Sequence, residues 1–311
     1  MYQVDWRGYW AAAPTPYDED GQIDTGLIRE LVDLYAKQGV HGVLINGTTG
    51  EWFSQTDEER MTVAQVAVKH AAGRLPIVIG CTAYTAAEVI KFARHAKSIG
   101  ADGALATPPP YVHPSDDEIL AFYGEITEAV DIPWMVYNWP RGAGVDMSND
   151  VLSQLADLDR VAAIKDSSGD ELKVNQGCMR VAPKVRFFGR FIHPMGMAVL
   201  TTLGGDGNID GGAIGAPFAV PYYEAIWRGD LDQARIHSEQ YERLTSLLVN
   251  TDYSAKFASP TAQVKACMRL LNQPGGYVRR PLLELSDPIK MRQLAEALAV
   301  AGLASSDRTH Q

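Results

Sequence analysis

A single lysine follows a short apolar segment near the middle of the 311-residue chain. Lys165 comes directly after Val161–Ile164 and is followed by Asp166. A lysine at the end of a buried strand is usually salt-bridged, or its ammonium group reaches solvent. In a partly desolvated site, burial instead favours the neutral amine, which is the nucleophile that Schiff-base chemistry requires. Taken alone, Lys165 favours the structural interpretation and leaves the chemical one open.

Two threonines lie between glycines in the segment 46–51, whose sequence is NGTTGE. Gly47, Thr48 and Thr49 predict a tight turn with exposed backbone N–H groups and two hydroxyls, which suits a small anion such as a carboxylate. A turn of this composition is usually only a turn. Glu51 is interpreted as structural, because a carboxylate inside an anion site would repel the ligand.

A tyrosine ends a second apolar segment. Tyr137 follows Trp134–Val136 and precedes Asn138. A phenolic hydroxyl is able to act in general acid–base catalysis. A tyrosine at the end of a strand is nevertheless more often a half-buried packing residue with a satisfied hydroxyl. Tyr137 alone therefore does not establish a catalytic role.

These candidates follow short apolar segments that alternate with helical patterns. The segments are almost continuously apolar, as expected for the strands of a parallel sheet that is buried on both faces. The eight predicted strands are Tyr9–Ala13, Gly42–Ile45, Ile77–Ile79, Gly103–Ala106, Trp134–Tyr137, Val161–Ile164, Val185–Phe188 and Gly207–Ile209.

Helical patterns such as Thr25–Gln38 fill the gaps between the predicted strands. Eight strand–helix units predict an α/β fold, a (β/α)8 TIM barrel, in which the active site lies at the C-terminal ends of the strands. An open, doubly wound sheet is the alternative, because periodicity does not reveal closure. Several helices are predicted to begin with capping boxes. These pair Thr56 with Glu59, Thr85 with Glu88, Ser115 with Glu118, and Ser168 with Glu171.

The strand pattern stops near residue 230. Three further helices are predicted at Leu231–Val249, Thr261–Leu271 and Pro288–Leu303. We therefore expect two parts, a barrel over residues 1–229 and a C-terminal three-helix extension over residues 230–311.

Composition and charge exclude several classes of protein. Lys and Arg number 28 against 38 Asp and Glu, a net charge of −10, which disfavours binding to nucleic acid or to an anionic membrane. No apolar run approaches the ~20 residues that span a membrane. The start of the chain lacks the features of a signal peptide. Three cysteines without a CxxC pair fit a reducing compartment, so we expect a cytoplasmic protein.

Considered together, the motifs resemble one family over nearly the whole chain. The segments Gly47–Glu51, Tyr137–Asn138 and Ile164–Asp166, in this order and at this spacing, are similar to those of the dihydrodipicolinate synthase / N-acetylneuraminate lyase family of pyruvate-dependent class I aldolases. Supporting matches are Pro14-Thr15-Pro16, Thr107-Pro108, Gly189 and Pro281-Leu282.

The resemblance implies a role for each matching residue. Lys165 would form an imine with the keto carbon of pyruvate or another 2-oxo acid, and Tyr137 would transfer protons at the hydroxyl being made or broken. Thr48 and Thr49, in the turn that Gly47 opens, would hold the substrate carboxylate. The protonated imine acts as the electron sink, so neither an organic cofactor nor a metal is expected. The sequence contains no HExxH motif and no clustered histidine ligands. The resemblance also implies a homotetramer.

Two positions depart from the pattern of the synthases in this family. Their relay tyrosine, two residues after the Thr-Pro proline, is here replaced by Pro110, and Tyr111 follows one place later. Their arginine, five residues after the catalytic tyrosine, is here replaced by Gly142, and Arg141 comes one place earlier. Tyr111 and Arg141 are therefore substrate-binding candidates in a shifted register.

The distal wall departs as well. After the seventh strand the synthases tend to have Gly-Asp-Asp, whereas this chain has Gly189-Arg190-Phe191. After the eighth strand Asp210 stands where they usually have serine. Gly189 and Asp210 are further substrate-binding candidates. The differences predict a 2-oxo acid that is cleaved or dehydrated, rather than condensation of pyruvate with aspartate semialdehyde.

Three alternatives remain open from the sequence. They are an authentic 4-hydroxy-tetrahydrodipicolinate synthase, a non-catalytic barrel that binds a small acid, and a metal-dependent aldolase on the same fold. Borohydride trapping with pyruvate at Lys165 distinguishes the imine enzyme from the binding protein. Resistance to EDTA distinguishes it from the metal enzyme.

Overall fold

Eight parallel strands form a closed barrel in the computed structural model, which describes residues 3–303. Each strand pairs with the next in the chain, and β8 pairs with β1, so the barrel prediction is confirmed over the open sheet. The strands are β1 Gly8–Ala12, β2 Gly42–Ile45, β3 Ile77–Gly80, β4 Gly103–Ala106, β5 Trp134–Asn138, β6 Val161–Asp166, β7 Arg186–Phe188 and β8 Gly207–Gly211.

Helices follow the strands and surround the barrel. A 3₁₀ turn, Trp52–Ser54, precedes α2, and a π-helical turn, Val199–Leu203, follows α8. The helices are α1 Thr25–Gln38, α2 Asp57–Ala71, α3 Ala86–Ser98, α4 Asp116–Ala129, α5 Pro140–Ala143, α6 Asn149–Leu155, α7 Glu171–Val181, α8 Pro194–Ala198, α9 Ala216–Trp227, α10 Leu231–Leu248, α11 Pro260–Leu270 and α12 Pro288–Val300.

Three of the four predicted capping boxes are present, at the starts of α2, α3 and α4. The fourth, at Ser168, is wrong. Asp170 caps α7 instead, because its side chain accepts the Lys173 N–H at 3.0 Å. The Ser168 N–H donates to the Asp166 carboxylate at 2.8 Å, so this residue belongs to the turn that leaves β6.

Several strands extend further than the apolar pattern predicts. β5 continues to Asn138 and β6 continues to Asp166, because Tyr137 pairs with Lys165 and Asn138 pairs with Asp166 in the ladder. β8 likewise includes Asp210. Lys165 and Asp210 therefore lie within strands rather than after them. The backbone ladder continues into polar residues at the mouth, where the apolar pattern has already stopped.

Large aromatic side chains fill the N-terminal part of the barrel. Trp10 packs edge-to-face against Trp6 and Phe188, with ring centroids 5.7 and 5.6 Å away. Gly103, the first residue of β4, leaves the space that the Trp6 ring occupies. The interior is thus a packed core, and the candidate residues Tyr137, Lys165 and Asp210 lie toward the C-terminal ends of their strands.

The three predicted C-terminal helices are present as α10, α11 and α12, and their packing joins them to the barrel helices. The division of the chain at residue 230 stays a prediction, and residues 304–311 of the expected extension lie outside the described residues. Across residues 3–303, no helix combines the length and apolar character needed to cross a membrane.

Candidate active site

Lys165 and Tyr137 lie side by side on β6 and β5. The Lys165 ammonium nitrogen is 4.0 Å from the centroid of the Tyr137 ring. Their exposed fractions are only 7% and 6%. Among the described residues, Lys165 Nζ has neither a hydrogen-bond acceptor nor a carboxylate partner, and its contact is the aromatic face. The salt-bridged interpretation of Lys165 therefore does not hold within residues 3–303.

A buried polar network holds these two strand ends together. The Asn138 side-chain amide donates to Asp166 at 3.2 Å and to Asp146 at 2.9 Å. The Asn138 side-chain oxygen accepts the Met147 N–H at 3.1 Å. Asn138 and Asp166 follow Tyr137 and Lys165 directly, so this network positions the tyrosine and the lysine relative to each other.

The Trp139 ring occupies the space beside position 142, where Gly142 replaces the arginine of the synthases. The ring stacks on Tyr137 with an interplanar angle of 10° and a centroid distance of 6.1 Å. A Cβ atom at Gly142 would lie 1.7 Å from the Trp139 ring. An arginine at position 142 is therefore incompatible with this placement of Trp139. The neighbouring Arg141 is turned to the C-terminal loop, where its Nη1 donates to the Asp252 carbonyl at 3.2 Å.

The predicted anion-binding turn is a tight turn after β2. The Gly50 N–H donates to the Gly47 carbonyl at 3.0 Å, and the Glu51 N–H donates to the Thr48 carbonyl at 3.1 Å. Thr48 and Thr49 are half-buried at the barrel mouth. A Cβ atom built on Gly211, at the end of β8, would be 3.3 Å from the Thr49 hydroxyl. The turn therefore faces the end of β8 across the mouth.

Glu51 is fully buried and forms an ion pair with Lys265 of α11, with 2.6 Å between Oε1 and Nζ. Burial lowers the pKa of Lys265 and raises that of Glu51, while their mutual attraction opposes both shifts. The sequence interpretation did not single out Lys265. Its signal was a lone lysine between Val264 and Ala266 on a largely apolar helix.

A cavity of about 310 Å³ lies between the barrel mouth and the C-terminal helices. Arg141 and Arg190 both line it, and their guanidinium carbons lie 5.7 and 4.3 Å from the centroid of the Tyr253 ring. Sequence reasoning missed Tyr253, because it lies in the loop after α10, far along the chain. Further lining residues are Ser167, Gly169, Asp210, Gly211, Tyr241, Gln263 and Val264.

Asp210 also lines this cavity, and its carboxylate accepts a hydrogen bond from the Tyr241 hydroxyl. Burial is the largest cause that raises the pKa of Tyr241, and the nearby Asp210 charge adds to it. The hydroxyl therefore stays protonated and keeps donating. Asp210 is thus held by α10 while it remains on the cavity wall.

Of the nine candidate residues, Arg141 and Asp210 line this cavity, whereas Lys165, Tyr137, Gly47, Thr48, Thr49, Gly189 and Tyr111 do not. A Cβ atom at Gly189 would lie 2.6 Å from the Phe191 ring, so Gly189 makes room for that buried side chain. Tyr111 is 89% exposed and has a φ of 81° in the connection before α4. The substrate-binding roles of Gly189 and Tyr111 stay predictions, and within this single chain neither residue lines the cavity.

No group of three or more His, Cys, Asp or Glu side chains within residues 3–303 is arranged to hold a metal ion. The mouth instead combines a buried amine, a phenol, a threonine turn and two arginines.

The fold and the site together define a class I, pyruvate-dependent lyase built on a TIM barrel. The model of the dihydrodipicolinate synthetase family matches residues 5–300. A DapA-like lyase of Rhizobium meliloti, described as uncharacterized, is 32% identical over 94% of this chain and 95% of its own. A 4-hydroxy-tetrahydrodipicolinate synthase of Dechloromonas aromatica is 33% identical over 96% of this chain and 99% of its own.

A solved structure adds the same result at the level of the fold. Dihydrodipicolinate synthase from Acinetobacter baumannii, complexed with pyruvate, superimposes with a TM-score of 0.84 at 28% identity, and the match covers 96% of this chain and 99% of that one. The chain belongs to the dihydrodipicolinate synthetase family and is an enzyme, a lyase of the class I aldolase type.

Proposed function

We propose that Lys165 forms an imine with the keto carbon of a 2-oxo acid, and that the enzyme uses this imine for aldol cleavage or dehydration. The observation that carries the proposal is the buried amine on the Tyr137 face, without an ionic partner among the described residues. An amine in such a place is not engaged in a salt bridge and is able to act as a nucleophile. Neither a metal nor an organic cofactor takes part in the proposed chemistry.

The proposed cleavage begins with formation of the imine on Lys165. The neutral amine attacks the keto carbon, and Tyr137 gives its proton to the departing hydroxyl, so that water leaves and the protonated imine forms beside the Tyr137 phenolate. Tyr137 takes the proton of the substrate hydroxyl while the adjacent carbon–carbon bond breaks, and its electron pair enters the imine to form an enamine. An aldehyde departs, the enamine carbon takes up a proton, and water then releases pyruvate from Lys165. Thr48 and Thr49 hold the carboxylate throughout.

Reduction with borohydride in the presence of pyruvate tests the formation of the imine on Lys165. We expect intact-mass and peptide analysis to find the reduced adduct on Lys165, with the same yield in EDTA. Absence of an adduct on a folded protein would favour the non-catalytic binding barrel. Loss of turnover in EDTA would favour the metal-dependent aldolase.

The distal wall supports a substrate other than aspartate semialdehyde. Trp139 occupies the space beside Gly142, and Arg141 is tied to the C-terminal loop through the Asp252 carbonyl. Arg190 and Asp210 replace the usual residues of this wall. A site that lacks the expected partner for a substrate carboxylate binds that substrate weakly. The authentic synthase remains the second candidate, because the Dechloromonas relative carries that name.

We expect retro-aldol release of pyruvate from a panel of 2-oxo acids to exceed condensation with aspartate semialdehyde in kcat/KM. In the most selective sites, a missing polar partner lowers kcat/KM by ~10⁴-fold or more. The panel contains 2-oxo-3-deoxy sugar acids and hydroxybenzylidene-type acids, assayed beside the semialdehyde on the same preparation. Condensation faster by orders of magnitude would establish the synthase and overturn this substrate assignment.

We also propose a homotetramer, since closed symmetric assemblies are common among soluble enzymes and the resemblance implies one. Exposed aromatic side chains support an interface: Tyr84 is 62% exposed and Phe53 is 43% exposed, and both contact Trp52 edge-to-face. We expect light scattering at micromolar concentration to give the mass of four chains. A single monomeric species would contradict the proposal.

A cytoplasmic location is proposed as well. Cys81, Cys178 and Cys267 are free and buried, and burial raises the pKa of each thiol to about 12. Protonated, buried thiols of this kind fit a reducing compartment.

A further inference from the structure

The buried pair of Glu51 and Lys265 joins the predicted carboxylate-binding turn to the C-terminal helices. Both side chains are 0% exposed, and they lie 2.6 Å apart. Besides Glu51, the Lys265 ammonium group donates to the carbonyls of Thr15 at 2.7 Å and Tyr277 at 2.5 Å. The ammonium group thus has three oxygen neighbours, from three separate parts of the chain.

The second carboxylate oxygen of Glu51 is also engaged, since it accepts the Arg279 N–H at 3.0 Å. Beside it, the Gly50 carbonyl accepts the Thr15 hydroxyl at 2.7 Å and the Gln55 amide at 2.6 Å. The side chains of Thr15, Gln55 and Lys265 and the backbone of the segment 277–279 therefore fix the end of the turn.

Both ends of the turn adopt the left-handed backbone conformation, which asparagine tolerates and which is costly for Glu51. Asn46 has a φ of 56° and Glu51 has a φ of 55°, in the left-handed region that residues other than glycine seldom occupy. Strained residues persist only where their surroundings hold them. At the first end, the Asn46 side chain donates to the Arg60 carbonyl at 2.8 Å. At the second end, the holding group is Lys265.

A contribution to stability alone is a weak explanation for this pair. Burying two charges costs solvation, and well-packed apolar replacements of buried ion pairs are often as stable. What the pair does achieve is a fixed position for Glu51, two residues after Thr49. The pair therefore determines the geometry of the turn and not only whether the turn forms.

We propose that Lys265 is a positioning residue for substrate binding: through Glu51 it holds Thr48 and Thr49 in the geometry that binds the substrate carboxylate. Helix α11 is then part of the functional architecture of the active site. This inference rests on the proposed carboxylate role of the two threonines.

The test is a double variant, Glu51→Gln with Lys265→Met, which removes both charges and nearly conserves volume. The readout is borohydride trapping as a function of pyruvate concentration, so no knowledge of the natural substrate is needed. We expect the half-saturating pyruvate concentration to rise about tenfold to a hundredfold, since small misplacement of binding groups has effects of this size. We expect the maximal trapping rate to stay within about threefold, because Lys165 and Tyr137 are untouched.

A purely structural pair would lower the midpoint of thermal unfolding and leave the half-saturating concentration unchanged, and this outcome overturns the inference. The matched control is Arg186→Met, which breaks the 2.7 Å pair with Asp206 at the opposite end of the barrel. It should lower thermal stability while the pyruvate dependence stays within about twofold, since distant sites act independently. A comparable loss of pyruvate affinity in this control would overturn the inference too.

Thr49→Val separates this inference from the function on which it rests. A raised half-saturating concentration in Thr49→Val but not in the double variant overturns the role of Lys265 alone. No change in Thr49→Val means that the carboxylate role itself is wrong, and the inference falls with it. If the double variant does not fold, Glu51→Asp, which keeps the charge but shortens its reach to Lys265, is measured against the same two outcomes.

Discussion

Lys165→Ala should have no measurable turnover and should form no borohydride-trapped adduct with pyruvate, while its thermal unfolding stays cooperative. The amine supplies the covalent bond to the substrate, and no other described lysine lies at the Tyr137 face. Lys165→Arg should be equally inactive, because a guanidinium keeps the charge but does not become a neutral nucleophile. Circular dichroism and kinetics on the same samples provide the measurement.

The matched control for this loss is Lys184→Ala, which removes a lysine paired with Asp157 on the outside of the molecule. Surface pairs contribute little to stability, so this variant should resemble the unmodified enzyme in both turnover and trapping. Substantial turnover in folded Lys165→Ala would refute the imine mechanism.

Tyr137→Phe should lower kcat by about 10²–10⁴-fold, the usual effect of losing a general acid–base group. This corresponds to roughly 3–5 kcal/mol in the barrier of the limiting step. The phenyl ring still packs against Lys165 and Trp139, so the change removes only the hydroxyl. Trapping of pyruvate should therefore survive better than turnover, and comparison of the two rates separates proton transfer from imine formation.

Tyr35→Phe is the control for this variant. Tyr35 lies on α1 and is fully buried, and its hydroxyl has no hydrogen-bond partner within residues 3–303. Removing that hydroxyl should leave kcat unchanged. If Tyr137→Phe also keeps kcat within a few-fold of the unmodified enzyme, Tyr137 is a packing residue and another group transfers the proton.

Local patterns were sufficient to predict the order of strands and helices and to single out candidate residues at the ends of the strands. Continuous apolar segments predict strands buried on both faces, and the capping boxes at Thr56, Thr85 and Ser115 mark helix starts, because both signals act over a few residues. Lys165 and Tyr137 are candidates because each follows an apolar segment, whereas their proposed roles come from the resemblance of the combined motifs to one family. The ends of β6 and β8 were placed too early, because ladder pairing depends on the neighbouring strand.

Only the tertiary structure decided what surrounds these residues. Three features join segments that are distant in the chain: closure of the barrel, the two arginines on Tyr253, and the burial of Glu51 against Lys265. None has a local signature, since a side chain's partner is set by packing and not by its neighbours in sequence. The sequence by itself thus determined the eight strand–helix units and the candidate residues at the ends of the strands. Three-dimensional packing determined how the turn is held and which groups line the cavity beside the barrel mouth.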